Sequence, residues 1–161
     1  MRKYKKTLTA EQALQKLRHY CGYQERSHSE VREKLYSLGV RKNEHDALIA
    51  TLIEGQYLNE ERYAIAFARG KFKINQWGKQ KIKQALKQKQ VSDYCINKAL
   101  KQINDEKYVV VLREMAAKRY ESLKEEQWLV RKKKTMDYLL QKGFEMQLVA
   151  DIIGKVKGPE K

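Results

Sequence analysis

The chain of 161 residues has the size of one ordinary domain or of a short array of helical units, and it carries a net charge of +15. Its apolar fraction of 42% is too high for a disordered chain, and no apolar run approaches the roughly 20 residues that span a bilayer. The basic stretch Met1 to Lys6 is not followed by an apolar core, which argues against a secretory signal and for a cytoplasmic protein. Lys, Glu, Gln, Leu and Ala dominate between sparse breakers, a mix that favours helix, and no alternating run of Val, Ile and Thr is long enough to build a sheet. Helices are predicted at 10–21, 28–38, 44–54, 60–73, 78–89, 93–103, 105–123, 126–142 and 145–156. Thr9 to Gln12 and Ser27 to Glu30 fit the capping box, in which a hydroxyl accepts an orphan backbone N–H and the residue three later reaches back. Asn43, Asn59, Ser92 and Asn104 stand as further N-caps, with stops at Gly22, Gly39, Gly55 and Gly143.

Sliding the chain against itself exposes a repeat. A shift of 51 residues lays Ala13, Leu17 and Cys21 on Ala64, Ala68 and Phe72. It also lays Val31, Leu35 and Val40 on Ile82, Leu86 and Val91, and Ile49 and Leu52 on Leu100 and Ile103. A shift of 104 lays Leu35, Gly39 and Val40 on Leu139, Gly143 and Phe144. Leu48, Ile49 and Leu52 then fall on Ile152, Ile153 and Val156. The expected fold is all-α: three tandem copies of a three-helix unit in an elongated, curved array. The expected division is a basic tail at 1–8, repeats at 9–56, 57–103 and 104–156, and a tail at 157–161.

The charge is uneven. Residues 1–61 hold 11 basic and 9 acidic side chains, residues 62–92 hold 9 basic and none acidic, and residues 93–161 hold 15 basic and 11 acidic. Lys79, Lys83 and Lys87 are four apart and line one helix face, beside the stripe of Ile82, Ala85 and Leu86. Lys81 lies between them, Arg62, Arg69, Lys71 and Lys73 come from the preceding helix, and Trp77 sits at the turn. A lysine row without acids is an electrostatic footprint for phosphates or carboxylates, although many such faces are merely solvated. The run Arg131, Lys132, Lys133 and Lys134 is a second, weaker contact candidate.

No constellation points to catalysis. His19 and Cys21 fall on different helix faces, no Cys-x-x-Cys pair or zinc spacing exists, and no glycine-rich phosphate loop occurs. Ser27 is explained as a cap, and Glu60 and Glu61 as first-turn acids. Cys21 and Cys95 read as buried reduced thiols. Tyr63 and Tyr138 fall at helical apolar positions and read as core residues with the hydroxyl at the edge. No cofactor, metal, membrane or small-molecule substrate is expected. A monomer is expected; no heptad seam is sustained, but that spacing alone does not fix the oligomeric state.

Three motifs, in order, resemble the RecX family. The first is Glu25-Arg26-Ser27-His28-Ser29-Glu30-Val31-Arg32-Glu33-Lys34-Leu35 followed by Leu38-Gly39. The second is Gln56-Tyr57-Leu58-Asn59-Glu60-Glu61-Arg62-Tyr63-Ala64 with Phe67, Arg69 and Trp77-Gly78 downstream. The third is Tyr138-Leu139-Leu140-Gln141-Lys142-Gly143-Phe144. Two residue pairs depart from the family pattern: Asn59-Glu60 stands where it has paired Asp, and Gln141-Lys142 where it has paired Arg. Lysine lacks the bidentate fork of arginine, so any contact that depends on that fork is lost. The resemblance, over roughly residues 10–156, implies a three-times-three-helix protein that binds in the groove of the RecA–DNA filament. It implies damping of the filament's ATPase, strand-exchange and co-protease activities, and some weak, non-specific affinity for DNA. Three-helix units with basic helices also fit a stand-alone DNA-binding protein. However, a lysine row holds phosphate more than it reads sequence.

Overall fold

Helix caps and apolar periodicity between them account for the architecture. A computed structural model describes residues 8–156; the basic segment before them and the 157–161 tail with Pro159 lie outside the described residues. Among the described residues there are nine helices and no strand: α1 (Ala10–Tyr23), α2 (His28–Ser37), α3 (Lys42–Glu54), α4 (Glu60–Lys73), α5 (Lys79–Gln88), α6 (Asp93–Lys101), α7 (Asp105–Ser122), α8 (Trp128–Gln141) and α9 (Met146–Gly154). Both capping boxes form, on Thr9 with Gln12 and on Ser27 with Glu30. Asn59, Ser92 and Asn104 also accept first-turn N–H groups, from Arg62, Cys95 and Lys107.

Two punctuation marks fall elsewhere than expected. Asn43 is not a cap, because α3 begins one residue before it, behind Arg41, which makes no side-chain cap bond. Gly22 does not stop α1, which runs through Tyr23 until Gln24 becomes extended. A glycine inside a last turn costs only about 1 kcal/mol against alanine and need not end a helix.

The repeat is written into the backbone. At the end of α2, α5 and α8 the same bond closes the helix: Val40 N–H to Leu35 C=O at 3.0 Å, Val91 to Leu86 at 3.1 Å, and Phe144 to Leu139 at 3.2 Å. The residue just before each donor is left-handed: Gly39 at φ 76°, Gln90 at φ 61° and Gly143 at φ 97°. This is a helix-terminating motif in which the N–H two past the cap reaches back to satisfy an orphan carbonyl. Of the apolar positions paired by the 51-residue shift, all but Leu100 are buried, and Leu100 is half-buried.

By contacts the chain divides into two compact units, one comprising residues up to Ala66 with Leu86–Lys98, the other Phe67–Ala85 with Ala99 onward. The core of the first includes Leu14, Leu17, Val31, Leu35, Leu48, Ile49, Leu52 and Leu58. His45 is wholly buried there, its Nε2 hydrogen-bonded to the Val40 carbonyl at 3.0 Å and its ring edge-on to Tyr36. Leu35 is fully buried, so Leu35→Ala should destabilise this unit by about 2–5 kcal/mol in a urea melt. A loss below ~0.5 kcal/mol would contradict the packing.

Cys21 and Cys95 are both buried and free, and burial pushes the Cys21 thiol up. Both should react slowly with a thiol reagent in the native protein and rapidly in denaturant. Fast native labelling would refute that burial.

In the second unit Tyr108 of α7 is almost completely buried, with ring centroids 5.7 Å from Phe72 and 5.2 Å from Phe144. Its hydroxyl accepts the Lys79 N–H at 3.0 Å and donates to the Glu145 carboxylate. Burial and the hydrogen bond to Glu145 push the phenol well above its ordinary range.

Candidate nucleoprotein interface

The segment without acids folds so that its basic residues have different fates. In the second unit, the start of α5 packs against the turn after α8. Gly78 N–H donates to the Lys142 carbonyl at 2.8 Å and Gln80 N–H to the Gly143 carbonyl at 2.9 Å. With the Tyr108 hydroxyl on Lys79 N–H, the first amides of α5 are satisfied by protein groups. The positive end of this helix is therefore covered, and the basic character of the site comes from side chains.

Those side chains gather around Trp77, which is half-buried. Lys71 Nζ lies 4.8 Å from the centroid of its ring and Lys81 Nζ 4.5 Å. Cation–π attraction at such distances holds an ammonium without neutralising it. Lys142 stands beside them, its Nζ donating to the Asn75 carbonyl at 2.7 Å. Burial, helped by the Lys81 charge, holds the Lys142 amine below its ordinary range. Lys79 has a different role: its Nζ is 3.2 Å from Asp105 and 4.8 Å from the Tyr108 ring, so its charge is paired. Lys83 and Arg69 make no ion pair among the described residues. Lys73 lines a cleft of about 450 Å³ with Phe72, Gln76, Glu106 and Val110.

Arg62 and Lys87 belong to the first unit. Arg62 is engaged there, its Nε donating to Glu25 at 2.5 Å and its Nη2 to the Gln56 carbonyl at 3.0 Å. Lys87 is exposed on the last turn of α5. The second basic run also sorts itself. Arg131 is a scaffold residue: it donates to the Tyr120 carbonyl at 2.6 Å, stacks 3.6 Å over the Tyr120 ring and lies 3.6 Å from Glu121. Lys134 pairs with Glu126. Lys132 sits over the Trp128 ring at 4.5 Å, and Lys133 is exposed.

The structure thus concentrates unneutralised cations and an indole at Lys71, Trp77 and Lys81. Lys142 joins them, a residue that charge counting had not placed with the middle segment. The signal was the repeat itself, since a 104-residue shift from Gly39 marks Gly143 as a turn glycine. No group of three or more His, Cys, Asp or Glu converges to hold a metal, and no helix is long and apolar enough to cross a membrane, among the described residues.

Sequence comparison identifies the scaffold. Residues 59–100 match the family model for the second three-helix domain of RecX, and residues 105–153 match that for the third. The chain belongs to the RecX family. RecX regulatory proteins of Bacillus cytotoxicus and Bacillus mycoides are 28% and 25% identical to it over 138 residues, or 86% of this chain. The chain spans about half the length, 51%, of these relatives. The crystal structure of RecX from Lactobacillus salivarius superposes with a TM-score of 0.82 at 25% identity, covering 91% of this chain and 95% of that one. A second RecX crystal structure, at 22% identity and TM-score 0.79, covers 91% of this chain and 74% of that one and shares the fold. The all-helical RecX architecture of tandem three-helix domains is therefore that of this chain.

Proposed function

We propose that this protein binds the RecA–DNA filament in the cytoplasm and restrains its ATPase, strand-exchange and co-protease activities. It would do so by occupying filament surface, without bond-making chemistry. The observation that carries the reading, given membership of the RecX family, is the Lys71–Trp77–Lys81 cluster in a segment that contains no acid. Ammonium groups fixed beside a half-buried indole suit DNA phosphate or acidic filament surface, steering encounter and imposing salt dependence. The same cluster accounts for weak, non-specific affinity for DNA alone, because lysines position phosphate without reading bases. The division into three repeats, at 9–56, 57–103 and 104–156, is part of this proposal.

The test is DNA-dependent ATP hydrolysis by RecA with and without the protein at two salt concentrations. Inhibition that weakens as salt rises is expected. A protein that leaves hydrolysis untouched yet binds a defined duplex tightly and selectively would instead be a stand-alone DNA-binding protein.

A further inference from the structure

We propose that the first unit carries a second docking site, for an acidic peptide segment with one apolar side chain, presented by a partner protein. The site is a cavity of about 630 Å³ formed by α1 and α2. Its walls bear Lys16, His19, Arg26 and Lys34, and no Asp or Glu lines it. This concentration is local, because residues 1–61 as a whole are nearly balanced, with 11 basic and 9 acidic side chains. It lies outside the basic middle segment and is independent of the filament reading above.

Two of the cations, Arg26 and Lys34, are preorganised. Arg26 Nε donates to the Tyr20 carbonyl at 3.0 Å, and the guanidinium stacks 3.8 Å over the Tyr20 ring. Lys34 Nζ stands 5.4 Å from the same ring. Two acids of α2, Glu30 and Glu33, act on Tyr20 without lining the cavity, and Glu30 is held by the capping box at the Ser27 N–H. Charges fixed in this way lose little freedom when a carboxylate arrives.

Size and lining favour a peptide over a nucleic acid strand. Leu8 and Leu38 add apolar surface, and the volume falls in the range of a pocket that encloses a small ligand or a large side chain. A single strand needs successive free ring faces along a groove. Here Arg26 already covers Tyr20, leaving Tyr23 as the exposed aromatic. The chain's own first seven residues include Arg2, Lys3, Lys5 and Lys6 with no acid, so like charge opposes their filling the site.

The experiment is fluorescence anisotropy of a labelled short peptide, rich in Asp and Glu around a single central Phe, titrated with the full chain at low salt. Saturable binding is expected. It should weaken by about tenfold or more in Lys16→Glu/Lys34→Glu and by less in Lys16→Gln/Lys34→Gln, with helicity unchanged. It should survive Lys71→Glu/Lys81→Glu, which tests the filament surface instead. Three results would overturn the proposal: no saturable binding, equal binding of a peptide whose Phe is replaced by Asp, or displacement of the peptide by oligothymidylate that itself depends on Lys16 and Lys34.

Discussion

Gly143→Ala is expected to cost the second unit about 3 kcal/mol or more, measured as a shift in the urea midpoint. The residue has φ 97°, where an L side chain is strained. A Cβ built there would sit 2.3 Å from Lys81 Cβ and 2.6 Å from Lys81 N, both rigid parts of α5. The turn would have to retreat, breaking the bonds that Gly78 and Gln80 N–H make to the Lys142 and Gly143 carbonyls. Gly78→Ala meets the other side of the same contact, with its Cβ 2.2 Å from Gly143 C, and should cost a similar amount. Two other glycines calibrate the effect. Gly39 shares the left-handed conformation at φ 76° but has open space around it, so Gly39→Ala should cost only about 1–2 kcal/mol of backbone strain. Gly22 lies inside α1 with nothing nearby, and Gly22→Ala should stabilise by roughly 0.5–1 kcal/mol. If Gly143→Ala cost no more than Gly39→Ala, the close approach of the α8–α9 turn to α5 would be disproved.

That contact also marks the limit of what the chain discloses on reading. Repetition was legible because it rests on local rules. Apolar residues recur at helical spacing, and pairs 51 residues apart, such as Leu35 and Leu86, are buried alike. The turn after α5 shows the same backbone without the same residue, for Gln90 takes the left-handed position that glycine holds at 39 and 143. A non-glycine residue pays about 1–2 kcal/mol to sit at φ above zero, and glutamine has no short side chain to relieve it, yet the backbone bond outlasts the glycine that would have announced it. Asn43 misled for the converse reason: a good capping residue has no effect when the helix has already begun.

Charge counting located the basic segment but not the fate of each cation. Lys79, Lys83 and Lys87 share a helix face, yet Lys79 is paired with Asp105, 26 residues away, and rests on Tyr108. Lys142 reaches the Asn75 carbonyl across 67 residues. Such pairings depend on how α7 and the α8–α9 turn pack on α5, which periodicity does not encode. What periodicity does fix is that Lys71, Trp77 and Lys81 flank a tight turn, a spacing that lets two lysines converge on one ring.

On the proposed function, Lys71→Glu/Lys81→Glu should raise the concentration needed to half-inhibit RecA ATP hydrolysis by about tenfold or more and flatten its salt dependence. Neither ammonium has a carboxylate partner among the described residues, so reversal breaks no ion pair and helicity should be unchanged. Trp77→Ala separates charge from positioning. It keeps both cations but removes the ring that holds them, so inhibition should weaken several-fold while its salt slope is retained. Lys79→Glu supplies the contrast on the same helix. It sets a carboxylate against Asp105 and should lower the unfolding free energy by about 0.5–1 kcal/mol, with inhibition per folded molecule little changed. If the Lys71 and Lys81 reversal left low-salt inhibition intact while Lys79→Glu abolished it, the contact would lie on the Lys79 side of α5 and the tryptophan cluster would be a packing device.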